Sequence, residues 1–580
     1  MGLSSSLQIG RSALNASQVA IQTVGNNLSN AATPGYSRQI VSFSPIRDTR
    51  YGTAFLGRGV QVGGIQRQVD LALMSRLNAG IAQESAAATN HDLMAAVEAT
   101  LNELTDNDIS SGLSRFFNIW SELANSPGDN ATRTLVVQQG STLAGQMRAM
   151  RSDLLRMRAQ VDQQLDANAR QANDILNTIA VLNREIVDSE GGVAEANGLR
   201  DQRDALVREL SAFMDITAVP QPNGSVNVLV GSLPVVLGAD SRGIELIRRT
   251  DGDDYDVGVY MKEPRERIEI SSGRIGALLQ QRDTLVNDTI ERLDQVAGQL
   301  IFQVNRAHSQ GYSSTPLTSV TGTQTVSMAD VSRAFNDPAN NSFSTLPFAV
   351  QNGGFNITVR NAATGEAQTV RINVDLDGLT NAGAAGTGDD TSLEDIRDAL
   401  NAAGNISATI NANGTLSISA ASGYDFSFSE DTSGVLAVLG VNTYFTGTNA
   451  SDINVRQALV DQPTLLAAGL VVGGEPNDNG TAMAITMFQD RALDALGGST
   501  IRSAWSDAVQ QIGIRTDAAG TRAESTRLVR ESLEAQHAAV SGVSIDEESI
   551  NLITFQRQYQ GAARFISVVD ELTQTLMSIL

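Results

Sequence analysis

Three histidines are the residues of this sequence with the best chemistry for binding a transition metal, because cysteine is absent. His91, His308 and His537 lie in separate segments, and none has a second histidine or a cysteine at the spacing that a zinc site requires. The HExxH pattern of zinc hydrolases is absent as well. We therefore predict surface or packing histidines and no bound metal.

One segment imitates the start of a calcium-binding loop. Asn373, Asp375, Asp377 and Gly378 have the required spacing, but the position that would supply a bidentate glutamate is Ala384. Asparagine, aspartate and glycine in this order are also typical of turns. A turn after a strand is the interpretation that the sequence favours.

The other polar motifs favour solvated loops and turns over catalysis. Four aspartates between residues 251 and 256 could attract a cation, but a solvated loop is favoured because nothing fixes their geometry. The glycines at 57–59 and 63–64 lack the strand and helix of a phosphate-binding loop and favour turns or close packing. No GxSxG motif is present. We predict a protein that is not an enzyme and binds no cofactor.

Composition excludes several classes of partner. At 580 residues, the chain is long enough for about four domains. Its net charge of -23 argues against nucleic acid and anionic membranes, which both require a basic surface. No apolar run reaches the roughly 18 residues of a membrane span, and the first residues do not read as a secretory signal. Export, if it occurs, would need another route.

The first 28 residues carry apolar and small side chains at alternating spacings of four and three. This spacing predicts a helix with a heptad seam, in which small residues allow close approach of a second helix. Asn30 and the Pro34-Gly35 pair predict the end of the helix. The seam positions are Leu3, Leu7, Gly10, Leu14, Ser17, Ile21, Val24 and Leu28.

The last 36 residues show the same pattern. Ser544 and Glu547 have the spacing of a capping box and predict the start of a helix about 50 Å long. Its seven-residue register consists of Ile545, Leu552, Tyr559, Ile566 and Leu580, with Phe555, Ala562, Val569 and Leu576 interleaved.

Between the ends, helical and strand patterns alternate. Heptad spacing predicts helices at 161–186, 279–304 and 503–539, and alternating apolar residues predict β-rich segments at 217–270 and 320–448. Within the second β segment, Asn413-Gly414 predicts a hairpin between 406–410 and 416–420. Thr391 and Glu394 have capping-box spacing and predict a short helix.

These patterns predict an α+β multidomain protein. The N- and C-terminal segments would form a coiled-coil-like stem of long helices, into which β-rich outer domains are inserted. The predicted segments are 1–70 (assembly helix and extended segment), 71–215 (helical stem), 216–272 (small β domain), 273–312 (central stem helix), 313–460 (inserted β domain), 461–540 (return to the stem) and 541–580 (C-terminal assembly helix).

Heptad seams at both ends of the sequence predict assembly. A seam near a chain end has little of its own domain to cover it, and each large apolar side chain gains roughly 1.5 to 3 kcal/mol on burial. Pairing of the two end helices would cover part of this surface. Neighbouring subunits would cover the rest.

The two ends also resemble a known family. Residues 26–30 read NNLSN and residues 33–39 read TPGYSRQ, which is similar to the amino-terminal signature of flagellar rod, hook and hook-associated axial proteins. Further stretches that resemble this family lie at 59–70, 273–279, 308–312, 542–553 and 556–564.

The resemblance, which is strongest to the hook-associated members, implies a structural subunit of the bacterial flagellum at the junction of hook and filament. It implies export without a cleavable signal through the type III channel, an extracellular location and partners that include further copies of the chain, the hook protein, a second junction protein and an export chaperone. The implied assembly residues are Leu7, Leu14, Ile21, Val24, Leu28, Asn26, Asn27, Asn30, Pro34, Gly35, Tyr36, Ile545, Leu552, Phe555, Tyr559, Ile566, Val569 and Leu576.

Alternative functions remain open from the sequence. A hook-type or flagellin-type subunit would share the terminal signatures. An adhesin or a wall hydrolase would place its activity in the inserted segment at 320–448, although no acid there has a recognisable catalytic spacing.

Overall fold

The computed structural model describes residues 2–52, 54–101, 108–191, 194–251, 254–344, 346–380, 382–472 and 475–579. The chain divides into two compact units, and each unit is assembled from separate stretches of sequence. The first unit comprises residues 1–93, 160–282 and 517–580, and the second comprises residues 94–159 and 283–516.

The helices, in chain order, are α1 (Gly2–Ser29), α2 (Leu71–Leu101), α3 (Ile109–Asn125), α4 (Asn130–Glu190), α5 (Asn197–Ser211), α6 (Gly273–Gln281), α7 (Asp288–Ser309), α8 (Asn341–Ser344), α9 (Leu393–Ala402), α10 (Val435–Val438), α11 (Gln457–Asp461), α12 (Gly480–Met487), α13 (Ile501–Ser541) and α14 (Ile545–Ile579).

The strands are β1 (Gln39–Pro45), β2 (Thr49–Tyr51), β3 (Ala54–Leu56), β4 (Val60–Arg67), β5 (Ile216–Pro220), β6 (Val226–Val230), β7 (Leu233–Leu237), β8 (Asp240–Ser241), β9 (Ile244–Asp251), β10 (Asp254–Met261), β11 (Arg267–Ile268), β12 (Gly311–Ser313), β13 (Ser319–Thr321), β14 (Gly353–Asn361), β15 (Ala367–Val374), β16 (Ile406–Ile410), β17 (Leu416–Ala420), β18 (Tyr424–Ser429), β19 (Phe445–Thr446), β20 (Asn454–Val455), β21 (Ala467–Val472) and β22 (Glu475–Asn477). Long terminal helices together with several small sheets confirm the predicted α+β class.

The core of the first unit lies between helices α4 and α5 and two small antiparallel sheets. Strand β6 buries Val226, Val228 and Val230 on one face, as its alternating pattern predicts. The turn before it is closed by Asn223, whose side-chain oxygen accepts a hydrogen bond from the Ser225 amide at 3.1 Å. Strand order is β5-β6-β7-β8 in one sheet and β11-β10-β9 in the other.

The second unit has one core that is rich in aromatic residues and another that is formed by sheets. In the first core, Phe116 and Trp120 of α3 pack against Tyr444, whose hydroxyl donates to the Val136 carbonyl at 2.7 Å. The second core lies between the sheets β15-β14-β18 and β13-β17-β16 and the short helix α9. The predicted hairpin at Asn413-Gly414 is confirmed as β16 paired with β17.

Two of the helices in the structure differ in detail from the prediction. The segment at 279–304 is not one α-helix, because α6 ends at Gln281 and a π-helical stretch, Arg282–Asn287, precedes α7. Arg282, which is 1% exposed, lies where the geometry changes and pairs with Asp162 at 2.9 Å. The buried ion pair fixes the Arg282 side chain at the start of the π-helical stretch. Heptad spacing could not reveal this interruption.

The predicted cap of α9 is wrong by one residue. The N-cap is Ser392, which forms a reciprocal capping box with Asp395, rather than Thr391 with Glu394. Both pairs have the same spacing, but the Thr391 hydroxyl is engaged elsewhere and accepts a hydrogen bond from the Asp375 amide at 2.8 Å. Tertiary contact therefore decides between two caps that are equivalent in sequence.

His308 is a packing histidine, as predicted. It is fully buried beside Trp120 and Tyr444. The Ala467 amide donates to its Nε2 at 3.0 Å, so Nδ1 carries the proton and donates to the Asn442 carbonyl at 2.8 Å. Burial lowers its pKa from 6.5 to about 4, aided by the nearby charges of Arg456 and Arg133, although the bond to Asn442 opposes this shift.

The free energy of unfolding is expected to fall as the pH decreases from 6.5 to 4. The unfolded chain takes up a proton on His308 at its ordinary pKa, whereas the folded chain stays neutral until about pH 4. The full loss is roughly 3 kcal/mol at 1.4 kcal/mol per pKa unit. Urea unfolding at several pH values measures it. The variant His308→Asn is the control, because it removes the contribution of His308 and leaves those of all other groups. If the free energy of unfolding of this variant falls with pH as steeply as that of the parent chain, His308 is not the cause.

None of the helices that the structure describes combines the length and the apolar character that crossing a lipid bilayer requires.

Candidate assembly interface at the paired terminal helices

Helices α1 and α14 pack against each other within the first unit. Gly10 faces Ile566, and Asn27 faces Glu548 near the other end of the pair, so the helices run antiparallel. A methyl group built on Gly10 would lie 2.5 Å from Ile566 Cγ1, which is inside van der Waals contact. The helices therefore approach more closely at Gly10 than any side chain there would allow.

The buried side of α1 includes three predicted seam positions, Gly10, Ser17 and Val24, together with Ala20, which the seam did not include. The leucine and isoleucine residues at the predicted positions are only half-buried. Of the predicted assembly residues, Val24, Asn27 and Val569 are buried; Leu7, Leu14, Ile21, Leu28, Asn30, Gly35, Tyr36, Leu552, Phe555 and Ile566 are half-buried; and Asn26, Pro34, Ile545, Tyr559 and Leu576 are exposed.

A β-ribbon covers a further side of the helix pair. Strands β1 and β4 are antiparallel, with Gln39 opposite Arg67, and pack on α1. Gly59 lies against Ser12 with φ of +99°, where any side chain would collide with the helix. The Phe43 ring makes an edge contact with Phe555 of α14, with 6.4 Å between the ring centroids. The glycines at 57–64 thus include one used for close packing, as the sequence indicated.

Asn27 joins the two ends of the chain through its side-chain amide. Its Nδ2 donates to Glu548 Oε2 at 2.8 Å and to the Gln39 carbonyl at 2.9 Å, and its Oδ1 accepts from the Gln39 amide at 3.0 Å. The Tyr36 hydroxyl donates to the same oxygen at 2.8 Å. Asn27 is 1% exposed, so an unmade bond here would leave a buried polar group unsatisfied.

Glu548 is the second centre of this network. Arg38 donates to Glu548 Oε1 from Nη2 at 2.7 Å and from Nε at 3.0 Å. The Glu548 side chain is 2% exposed, and the Arg38 side chain is 17% exposed. The Arg38 amide also donates to the Ser541 carbonyl at 2.9 Å, which fixes the chain between α13 and α14. We call Asn27, Tyr36, Arg38 and Glu548 the terminal clamp.

Burial and negative charge act together on Tyr36. Burial raises its pKa to about 12, and the carboxylates of Asp201 and Glu548 raise it in the same direction. The hydroxyl therefore keeps its proton and remains a donor to Asn27 throughout the physiological pH range. It also accepts a hydrogen bond from Asn26 Nδ2 at 3.2 Å.

A second carboxylate cluster anchors the β-ribbon to α5. Asp201 accepts hydrogen bonds from the Ser37 amide at 3.2 Å and from Arg67 Nη1 at 2.9 Å. The same Arg67 nitrogen donates to Asp204 at 2.8 Å. Asn197 donates to the Ile65 carbonyl at 2.9 Å. These contacts hold the segment after α1 in place against the body of the first unit.

The sequence interpretation missed Arg38, Glu548 and Asp201 as interface residues. Arg38 and Glu548 both lie inside the terminal segments that resemble the flagellar family, and they have opposite charges. These opposite charges were the feature of the sequence from which the contact could have been predicted. No feature of the sequence predicted the role of Asp201, because this residue lies in a helix with no recognised motif.

The far side of α14 carries an uncovered apolar surface, which we call the α14 stripe. It consists of residues that are 43 to 65% exposed: Ile550, Ile553, Phe565, Val568, Leu572 and Leu576. Exposed polar residues such as Arg557 and Arg564 lie four positions from members of the stripe and therefore border it on the same side of the helix. A monomer seldom leaves so many large apolar side chains exposed on one helix, and such patches mark interaction surfaces.

Replacing Gly10 with alanine is expected to destabilise the helix pair by about 1 to 3 kcal/mol, because the new methyl group overlaps Ile566. Gly25→Ala is the matched control on the same helix, since a methyl group there meets no atom within 4 Å. It should instead stabilise α1 slightly through its higher helix propensity. Helix loss on heating, followed by circular dichroism, compares the two; equal effects would contradict the close contact at Gly10.

Family models match three parts of the chain. The flagellar hook-associated protein FlgK helical domain matches residues 94–324, the flagellar basal body rod FlgEFG protein C-terminal model matches residues 535–579, and the flagella basal body rod protein model matches residues 7–36. The last two coincide with the segments that contain α14 and α1.

Curated relatives match over their whole length. Flagellar hook-associated protein 1 of Salmonella typhimurium is 25% identical over 587 residues, with 100% of both chains covered. The proteins of the same name from Escherichia coli and Bacillus subtilis are 24% and 25% identical, with at least 97% of each chain covered. The solved flagellar hook junction protein FlgK from Burkholderia pseudomallei has 16% identity and a TM-score of 0.49, covering 80% of this chain and 100% of that chain.

The paired terminal helices and the matches at both ends define a structural protein of the axial part of the bacterial flagellum. Within that class, the chain is similar over its whole length to flagellar hook-associated protein 1, and residues 94–324 match the helical domain of that protein. The resemblance seen in the sequence is thereby confirmed.

Proposed function

We propose that this protein forms the junction between hook and filament and that it assembles through its paired terminal helices. The observation that carries the proposal is the α1–α14 pair, which is fixed by the terminal clamp on one side and leaves the α14 stripe uncovered on another. Burying each large side chain of the stripe gains roughly 1.5 to 3 kcal/mol. Neighbouring copies in a ring supply that cover.

The junction position implies partners on two sides. Relatives are named hook-associated proteins, and a subunit in this position contacts the hook protein on one side and a second junction protein on the other. The same α14 stripe would promote aggregation before assembly. An export chaperone that covers α14 in the cell is therefore part of the proposal.

The proposed role requires no chemistry. The buried polar groups of the terminal clamp bond to one another, which suits a structural joint. The chain also contains no cysteine, so disulfides do not oppose passage through a narrow export channel in an unfolded form. The mature protein then lies outside the cell, as part of the flagellum.

A deletion strain tests the function. Cells without this protein should build hooks but release filament subunits into the medium, and the intact gene should restore filaments. Electron micrographs and the protein content of the medium provide the two measurements. Normal filaments in the deletion strain would overturn the proposal, and missing hooks would assign the protein to the hook itself.

A further inference from the structure

Three aspartates of the second unit meet where β15 ends and α9 begins. Asp375 directly follows β15, Asp377 lies in the next turn and Asp390 precedes the helix. One carboxylate oxygen from each lies within 4.8 Å of the others. The first two were interpreted as a turn in the sequence, and the fold adds the third from thirteen residues beyond Asp377.

The carboxylate of Asp390 is buried and only half satisfied. The residue is 5% exposed, and its Oδ2 accepts a hydrogen bond from Asn336 Nδ2 at 2.7 Å. Its Oδ1 is buried and has no hydrogen-bond partner in the described part of the chain. Buried carboxylate oxygens are almost always paired, so this oxygen indicates a ligand that completes the site.

No arginine, lysine or histidine within the described ranges neutralises the three carboxylates. Asp377 accepts a hydrogen bond from the Leu379 amide at 2.8 Å, and Asp390 has its amide partner Asn336, but none of the three forms an ion pair among those residues. Three like charges this close repel each other. A bound cation removes that repulsion.

Hydrogen bonds of the backbone hold together the two segments that carry the cluster, the end of β15 and the start of α9. The Asp375 amide donates to the Thr391 hydroxyl, and the Thr391 amide donates to the Asp375 carbonyl, both at 2.8 Å. Asp375 and Asp390 are therefore fixed relative to each other independently of any ion. The site is preorganised on the end of a sheet and the start of a helix.

The ligand chemistry selects a hard divalent cation. Carboxylate oxygens are the ligands that calcium and magnesium prefer, and calcium binds oxygen at about 2.3 to 2.6 Å. The three oxygens lie close enough together to bind one such ion. Calcium is favoured over magnesium because it accepts irregular coordination by carboxylates, whereas magnesium demands near-ideal octahedral geometry. Exposure of Asp375 and Asp377 leaves room for water to complete the coordination.

We propose that Asp375, Asp377 and Asp390 form a calcium site in the inserted β domain. The site stabilises the loop between β15 and α9. Two of its three carboxylates are exposed, so the dissociation constant is on the order of 10⁻⁴ M.

Titration of the full-length protein with calcium chloride tests the site. Calorimetry on metal-free protein should show one calcium ion per chain, with magnesium binding at least tenfold more weakly. The double variant Asp375→Asn with Asp377→Asn should bind calcium at least tenfold more weakly, and both positions are exposed, so folding is preserved. Calcium should raise the melting temperature of the parent chain but not that of the variant.

Glu366→Gln is the matched control. Glu366 is an exposed carboxylate at the opposite end of the β14–β15 hairpin, and its removal changes the net charge without touching the cluster. This variant should bind calcium as the parent chain does. The absence of binding up to 10 mM calcium, undiminished binding in the double variant or a preference for magnesium would each overturn the proposal.

Discussion

Replacing Ile566 with aspartate is expected to abolish filament attachment and swimming while the two β-containing cores stay folded. Ile566 packs against α1 at Gly10, where the two helices approach too closely for a side chain on Gly10. The variant loses roughly 2 kcal/mol of apolar burial and forces a carboxylate against an apolar helix. Motility on soft agar and electron micrographs of the hooks measure the result, and Leu14→Asp on the opposite helix should act in the same direction.

Ser567→Asp is the control for this change. It adds the same charge one residue further along α14, where Ser567 is exposed and bonds only to its own helix at Ala563. Swimming should persist in this variant. If both variants swim, or if both fail, the effect does not come from the contact with Gly10 and the terminal-helix mechanism is wrong.

The terminal helices could be predicted because their seams repeat over many turns, and a periodic pattern determines both the type and the length of an element. The line of closest contact could not be predicted. Large residues such as Leu14 and Ile21 mark the apolar side of α1, but two helices approach most closely where residues are smallest, and Gly10 and Ser17 occupy that line. The line of closest contact on α1 therefore lies beside its largest apolar residues.

Contacts between residues that are far apart in the sequence could not be predicted from local patterns. Arg38 and Glu548 are 510 positions apart, and Asp390 joins Asp375 only because a hairpin and a helix meet there. The family resemblance placed Asn27 at the interface without giving its role. The structure supplies that role, since one amide group holds α1, the β-ribbon and α14 together.

The terminal clamp gives the second large prediction. Glu548→Ala should increase amide hydrogen exchange in α1 by at least a hundredfold, because it removes the buried carboxylate that accepts hydrogen bonds from both Asn27 and Arg38. Removing one member of a buried ion pair costs about 3 kcal/mol or more, and 1.4 kcal/mol corresponds to a tenfold change in the opening equilibrium. The exchange is followed by mass spectrometry on the purified full-length chain.

A substitution at the adjacent Glu547 distinguishes the effect of burial from the effect of charge. Its side chain is 60% exposed and also pairs with Arg38, at 3.0 Å, so Glu547→Ala removes the same charge from the same arginine without opening a buried site. An exposed pair contributes up to about 1 kcal/mol, and exchange in α1 should rise by less than tenfold. Comparable effects of the two substitutions would show that net charge near Arg38, rather than the buried clamp, holds the ends of the chain together.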